Sequence, residues 1–161
     1  MSDSSQINEN KNLMKQFYSA FQNRDAESMA SLYSVEARFQ DPVFKLEGCK
    51  IGSMWKMLCT NGKDIKISYS ILDATETSGQ AQWIAHYTFP STGRKVINKI
   101  TASFEFKDGK IIRHIDHFSF WKWASQALGP LGAFLGWTKA VKTRVQIIAN
   151  KNLDSFLNLK K

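Results

Sequence analysis

Lys107-Asp108-Gly109-Lys110, followed by Ile111-Ile112-Arg113-His114-Ile115-Asp116-His117-Phe118-Ser119-Phe120-Trp121, decides how this chain is read. The Asp-Gly pair marks a turn, and the β-branched and aromatic residues after it predict a strand over 111–123. Yet its middle carries an aspartate and two histidines. Aspartate is depleted in strands, and a carboxylate on a buried face is unfavourable unless it is paired or protonated. A position that works against folding is where function is to be sought. Strand side chains alternate, so His114 and Asp116 share one face, roughly 6–7 Å apart at the backbone, and His117 takes the other. That spacing lets the pair share a ligand or a water. On a partly exposed edge or interface strand, the same residues would simply be solvated.

Upstream, strands are predicted over 65–74, 80–89 and 95–106, joined at Thr77-Ser78-Gly79 and Ser91-Thr92-Gly93. Before them the period is helical. Leu13, Met14, Phe17, Tyr18 and Phe21 define a helix over 10–23, and Asp25 caps a short second helix with Met29, Leu32 and Tyr33 on its apolar side. A third helix follows Gly48, with Ile51, Met54, Trp55 and Leu58 on one side. Between these helices, 35–43 reads as a short strand that breaks into a loop at Asp41-Pro42. Helices followed by hairpin-linked strands make an α+β domain, with helices on one face of an antiparallel sheet. Past it, 126–137 is a Gly-rich apolar connector and 138–159 a helix. In that helix Val141, Val145, Ile148 and Leu153 form a buried stripe, widened by Ile147, Phe156, Leu157 and Leu159. The division is a domain over 1–123 and an extension over 124–161.

The chain has 161 residues, 43% of them hydrophobic, which suits one domain with a real core. No uncharged apolar run reaches the ~20 residues of a membrane span. The polar start, Met1-Ser2-Asp3-Ser4-Ser5-Gln6, lacks the order of a signal peptide, so the expected location is cytoplasmic. Cys49 and Cys59, about 15 Å apart along one helix, are beyond disulfide reach and are read as free thiols. The three histidines are scattered and no Cys-x-x-Cys occurs, so no metal-site spacing is present. The net charge is +8, and from 138 onward six basic residues face one acid, Asp154, giving +5 of that total. The charge belongs to a tail and not to a groove with stacking aromatics, which argues against nucleic acid as a partner.

Four stretches resemble the superfamily of nuclear-transport-factor-two-like folds, which includes ketosteroid isomerases and SnoaL-like polyketide cyclases. They are Phe17-Tyr18-Ser19-Ala20-Phe21-Gln22-Asn23-Arg24-Asp25, Ala37-Arg38-Phe39-Gln40-Asp41-Pro42-Val43 with Gly48 after it, Gly93-Arg94-Lys95, and Gly109-Lys110-Ile111-Ile112-Arg113-His114-Ile115-Asp116. The resemblance covers roughly 10–123. It implies a curved sheet wrapped around three helices as a cone, with an apolar pocket at its open end, and dimerisation through the sheet.

The resemblance also implies site residues. Asp41 occupies the place of the isomerases' general base. The isomerases' two oxyanion donors fall at Phe17 and Ala102, neither of which can donate, so steroid-type isomerisation by that route is disfavoured. Tyr18 is adjacent to Phe17 but roughly 100° around the helix. The SnoaL-like cyclases carry an acid–base aspartate at the position of Asp116, with His114 beside it here. An apolar wall can raise such a carboxyl toward neutrality.

Phe17, Trp55, Trp83, Tyr87, Ala102, Phe104 and Phe118 are the expected pocket wall, although each also suits ordinary core packing. The function expected is proton transfer, ring closure or hydration on an apolar small molecule, as an isomerase, cyclase or hydratase, with neither metal nor organic cofactor. The alternative is a non-catalytic ligand-binding or dimeric module. His117, Trp121 and Trp123 are set at a subunit contact, and His86 is structural or exposed. The basic C-terminal helix either docks on its own domain or meets an anionic membrane. The spacing Gly132-x-x-x-Gly136 suggests close helix packing.

Overall fold

Helix α1 (Asp3–Gln22) turns Leu13, Met14, Phe17, Tyr18 and Phe21 inward, and it starts well before the predicted 10–23 because its first turns carry almost no apolar signal. The computed structural model describes residues 3–159; Met1 and Ser2 of the polar start and Lys160 and Lys161 of the basic tail lie outside the described residues. Buried Asn10 pins α1 down by donating its side-chain amide to the carbonyls of Thr75 (3.0 Å) and Glu76 (2.9 Å). Asp25 caps α2 (Ala26–Ser31), accepting from the Ser28 N–H at 3.1 Å. α3 (Cys49–Asn61) begins after Gly48, whose φ of 59° is a left-handed conformation suited to glycine. Both cysteines lie on α3 as free thiols.

The strands are β1 (Tyr33–Gln40), β2 (Lys45–Glu47), β3 (Lys66–Ala74), β4 (Ser78–Thr88), β5 (Lys95–Lys107) and β6 (Lys110–His117). They form one open sheet in the order β2-β1-β6-β5-β4-β3. Its ladders are antiparallel apart from β1 against β6, which is parallel. α1 lies on β3 and β4, so the concave face and the helices enclose a single aromatic core. Together with the C-terminal helices this is the α+β cone with an extension expected from the sequence.

Three local expectations are corrected. Tyr33 belongs to β1 and not to the second helix. β6 stops at His117 instead of continuing to 123, because Ser119 accepts from the Lys122 N–H at 3.3 Å and caps a new helix, α4 (Phe120–Ala127). The connector is likewise helical, as α5 (Pro130–Leu135).

Helix α6 (Lys139–Asn158) docks on its own domain. Leu153, 1% exposed, joins the main core, and Gln146 donates to the Pro42 carbonyl at 2.9 Å. The expected stripe is only partly right, since Ile148 faces solvent with Ile147 and Leu159. α4 supplies Phe120, Trp123, Ala124 and Ala127 to a smaller core with Val96, against which Val43, Tyr87, Phe89, Phe118, Val141 and Val145 pack. Among the described residues no helix is long and apolar enough to cross a membrane.

Candidate functional site

A bulge in β6 creates the site. Glu105 pairs with Arg113 and Phe106 with Ile111, so Ile112 is the extra residue. The shift lets both Ile111 and His114 face inward, and alternation then brings Asp116 in while His117 stays exposed. His114 is 0% and Asp116 3% exposed. The His114 Nε2 lies 2.8 Å from Asp116 Oδ1. The imidazole stacks on Phe104 at 4.2 Å and meets the edges of Phe39 (5.0 Å) and Phe17 (5.5 Å).

Donor chemistry orders the network. Trp55 Nε1 can only donate, and it does so to Tyr33 Oη at 3.0 Å. The Tyr33 hydroxyl lies 2.7 Å from His114 Nδ1, and with a neutral imidazole its hydrogen points there. An ionised Asp116 can only accept, so Nε2 carries a hydrogen and donates it to Oδ1, which in the neutral ring leaves Nδ1 as the acceptor. Trp83 Nε1 donates to the same oxygen at 3.4 Å. Both partners of Asp116 therefore use Oδ1, and Oδ2 accepts nothing from the described residues.

Tyr18 supplies a second unmatched atom. Its side chain is fully buried and stacked on Tyr69 at 5.0 Å, and its hydroxyl has no hydrogen-bond partner among the described residues. Burial pushes its pKa well up, and the nearby Asp116 charge pushes it further. Such orphans are rare in native interiors because each forfeits a hydrogen bond to water.

Asp41 stands at the turn after β1 and makes no bond to the pair. Its Oδ1 accepts from the N–H groups of Val43 (2.7 Å) and Phe44 (2.6 Å), the ordinary work of an aspartate in a turn. Burial pushes its pKa up to about 6, against the lowering pull of those two N–H groups; the Asp116 charge adds to the rise and His114 opposes it.

Phe17, Trp55, Trp83, Ala102 and Phe104 are all buried around the pair, with Ala102 directly across the ladder from Asp116 and Phe104 across from His114. Tyr87 and Phe118 are farther out and half-buried under α4, where Tyr87 Oη accepts from Trp123 Nε1 at 2.7 Å. Two surface grooves, of about 1320 and 640 Å³, border neither His114, Asp116 nor Asp41. Among the described residues no group of three or more His, Cys, Asp or Glu side chains is placed to hold a metal ion.

Sequence reasoning missed Tyr33 and undervalued Tyr18. Tyr33 had a usable signal, since Tyr33, Val35, Ala37 and Phe39 alternate with polar residues at the period of a strand. Tyr18 had none beyond the helical period it shares with the core.

The SnoaL-like domain family matches residues 14–114, and the chain belongs to that family. Solved structures share the fold. One is a candidate polyketide cyclase from Xanthomonas campestris pv. campestris, 17% identical over 76% of this chain and 98% of that one, with a TM-score of 0.62. A second is AclR, a candidate hydroxylase from Streptomyces galilaeus, 17% identical over 80% and 98%, TM-score 0.63. A third is an LEH-like epoxide hydrolase from M. tuberculosis, 15% identical over 83% and 96%, TM-score 0.60. At such identities the likeness concerns fold alone. No curated protein matches the chain in sequence.

Proposed function

We propose that this protein is an acid–base enzyme for an apolar small molecule, with Asp116 as the group that takes and returns the proton. The observation that carries the reading is a fully buried Tyr18 hydroxyl with no hydrogen-bond partner among the described residues, near enough to Asp116 to feel its charge, while Asp116 Oδ2 accepts no hydrogen bond from them. Oδ2 removes a proton from the carbon beside a carbonyl, and Tyr18 donates to the oxygen on which charge develops. His114 positions Asp116, and Tyr33 with Trp55 positions His114. Phe17, Trp55, Trp83, Ala102 and Phe104 supply the apolar wall, extended outward by Tyr87 and Phe118. Asp41 is a second carboxyl of the same interior, with a pKa near 6 that suits proton exchange at neutral pH. Isomerisation and ring closure both use this step, and the candidate cyclase among the fold's relatives lends the second some weight.

The reading also includes a homodimer through the outer sheet face, where Leu72 and Ile97 are exposed, and a cytoplasmic location, which suits two free cysteines. Deuterium uptake beside the carbonyl of hydrophobic ketones, read by mass spectrometry, tests the reaction. Asp116→Asn should slow it by about 10²–10⁴-fold and keep the fold, because Asn still accepts from His114 and Trp83. Equal rates in wild type and D116N would overturn catalysis by Asp116. A second reading is a non-catalytic ligand-binding module, supported by the replacement of the isomerases' two oxyanion donors by Phe17 and Ala102 and by the larger of the two surface grooves lying away from the pair. It predicts that apolar ligands bind wild type and D116N alike and are released unchanged.

A further inference from the structure

The acid–base reading leaves the tip of the C-terminal extension unused. Leu131, Phe134, Leu135 and Trp137 are 55%, 76%, 44% and 74% exposed, within seven consecutive residues. Leu131 and Leu135 are one helical turn apart, as are Leu131 and Phe134, so the apolar side chains stand together on α5. Trp137 joins them through its Nε1–H to the Phe134 carbonyl at 2.9 Å, and half-exposed Trp121 through its own to Ala133 at 3.1 Å.

The tip is firmly held. A Cβ on Gly132 would lie 1.8 Å from the Ala124 carbonyl oxygen, so α5 sits directly on the α4 backbone and only glycine fits between. That contact accounts for Gly132 in the Gly-x-x-x-Gly spacing, which serves packing within the chain. α5 therefore cannot turn its apolar face inward, and the face stays in water.

Charge says what covers it. Between Asp116 and Asp154 the chain has no acidic residue, while Lys122, Lys139, Lys142, Arg144 and Lys151 lie in that interval. Large aromatics beside lysine and arginine, with acids excluded, match the interface of an anionic bilayer: rings in the headgroup layer, cations on the lipid phosphates. A second protein copy would present the same basic surface and repel it.

We propose that α5 and the turn after it dock this protein on the surface of anionic lipid bilayers, with Phe134 and Trp137 inserted and Lys139, Lys142 and Arg144 on the headgroups. The sequence pointed to the basic helix as the membrane element; the structure moves the apolar anchor to α5, because α6 uses Leu153 to hold its own domain.

Co-sedimentation of the full chain with phosphatidylcholine vesicles containing about a quarter phosphatidylserine tests this. Binding should weaken about fivefold per basic residue removed, and should largely vanish at about 0.5 M salt. F134S/W137S should lose about tenfold or more in vesicle binding with an unchanged melting temperature, since both side chains are mostly exposed. K139E/K142E/R144E keeps the apolar tip and should lose binding to acidic vesicles too. Failure of the wild-type chain to sediment with acidic vesicles would overturn the proposal. So would F134S/W137S that leaves vesicle binding intact, or that dissociates a dimer seen by analytical ultracentrifugation without changing vesicle binding.

Discussion

Replacing Tyr18 by Phe removes a buried hydroxyl that has no partner among the described residues. A structural role for the hydroxyl predicts a loss of stability; the proposed role predicts the reverse. Y18F should be as stable as wild type or more so, by up to about 1–3 kcal/mol, since an unsatisfied group is deleted without a cavity of consequence. Its turnover should fall about 10²-fold. Thermal melts and the deuterium assay read both quantities, and a clear drop in melting temperature would point to a purely structural hydroxyl. Asp41 gives a pH signature. Its pKa is raised to about 6 in the folded state, above the 3.8 of the free side chain. Between those values the folded chain holds more protons than the unfolded one, so Asp41 makes stability fall as pH rises from about 4 to 6, and contributes a constant penalty above that. D41N keeps an oxygen for the Val43 and Phe44 N–H groups and loses the charge. It should flatten that slope and gain on the order of 2–3 kcal/mol at pH 7. Denaturation midpoints across pH 4–8 would show it, and parallel curves for the two proteins would refute the raised pKa. At this scale the pairing of His114 with Asp116 was legible because a strand has period two, whereas the Tyr33–His114 bond spans 81 positions and leaves no local trace.

Element boundaries failed where a residue could serve two structures. Phe118, Phe120, Trp121 and Trp123 favour a strand by type, yet Ser119 ends it by capping α4, and one hydroxyl outweighs four rings because it satisfies a free helical N–H. Ser119→Ala should therefore cost about 1 kcal/mol and loosen α4 before it affects β6, as amide exchange would report. Helix α6 failed differently. It carries apolar residues on more than one side, so the period alone could not choose the stripe that docks. Leu153 is the fully buried side chain of α6, flanked by partly buried Ala149, Phe156 and Leu157. Leu153→Ala should cost about 2–5 kcal/mol by opening a cavity, and Ile148→Ala should stay within about 0.5 kcal/mol because Ile148 already faces water. Chemical denaturation separates the two, and equal costs would mean that α6 docks in another register. The turn at Asp108-Gly109 was read well because it is a local signal, whereas the turn expected at Thr77-Ser78-Gly79 falls earlier, after Ala74: Ser78 and Gly79 already belong to β4, and Gly79 is there because Met14 packs against it.

Across the whole molecule, the proposed reaction needs a path for its substrate to a pair that is almost wholly buried. Asp116 is 3% exposed and sits on β6, paired with Ala102 of β5, so opening the sheet there would break a ladder between two inner strands. The acid–base reading puts the entry at the extension. α6 commits one fully buried residue to the core, and α4 covers Val43, Tyr87, Phe89 and Phe118 beside the Asp41 turn. A segment held mostly by partly buried side chains, here Val141, Val145, Ala149, Phe156 and Leu157 beside Leu153, opens at a fraction of the global free energy, which for a domain of this size is about 5–15 kcal/mol. Hydrogen exchange should accordingly show α6 amides opening several kcal/mol more easily than those of β4 and β5, with α4 between them. A bound apolar ligand should slow α6 exchange more than β5 exchange, because closing the extension over the ligand is what the opening equilibrium opposes. If α6 exchanged only as slowly as β5, with or without ligand, the extension would be part of one cooperative unit. Asp116 would then be reachable only by unfolding, and the acid–base reading would lose its substrate path even with every hydrogen bond of the pair intact.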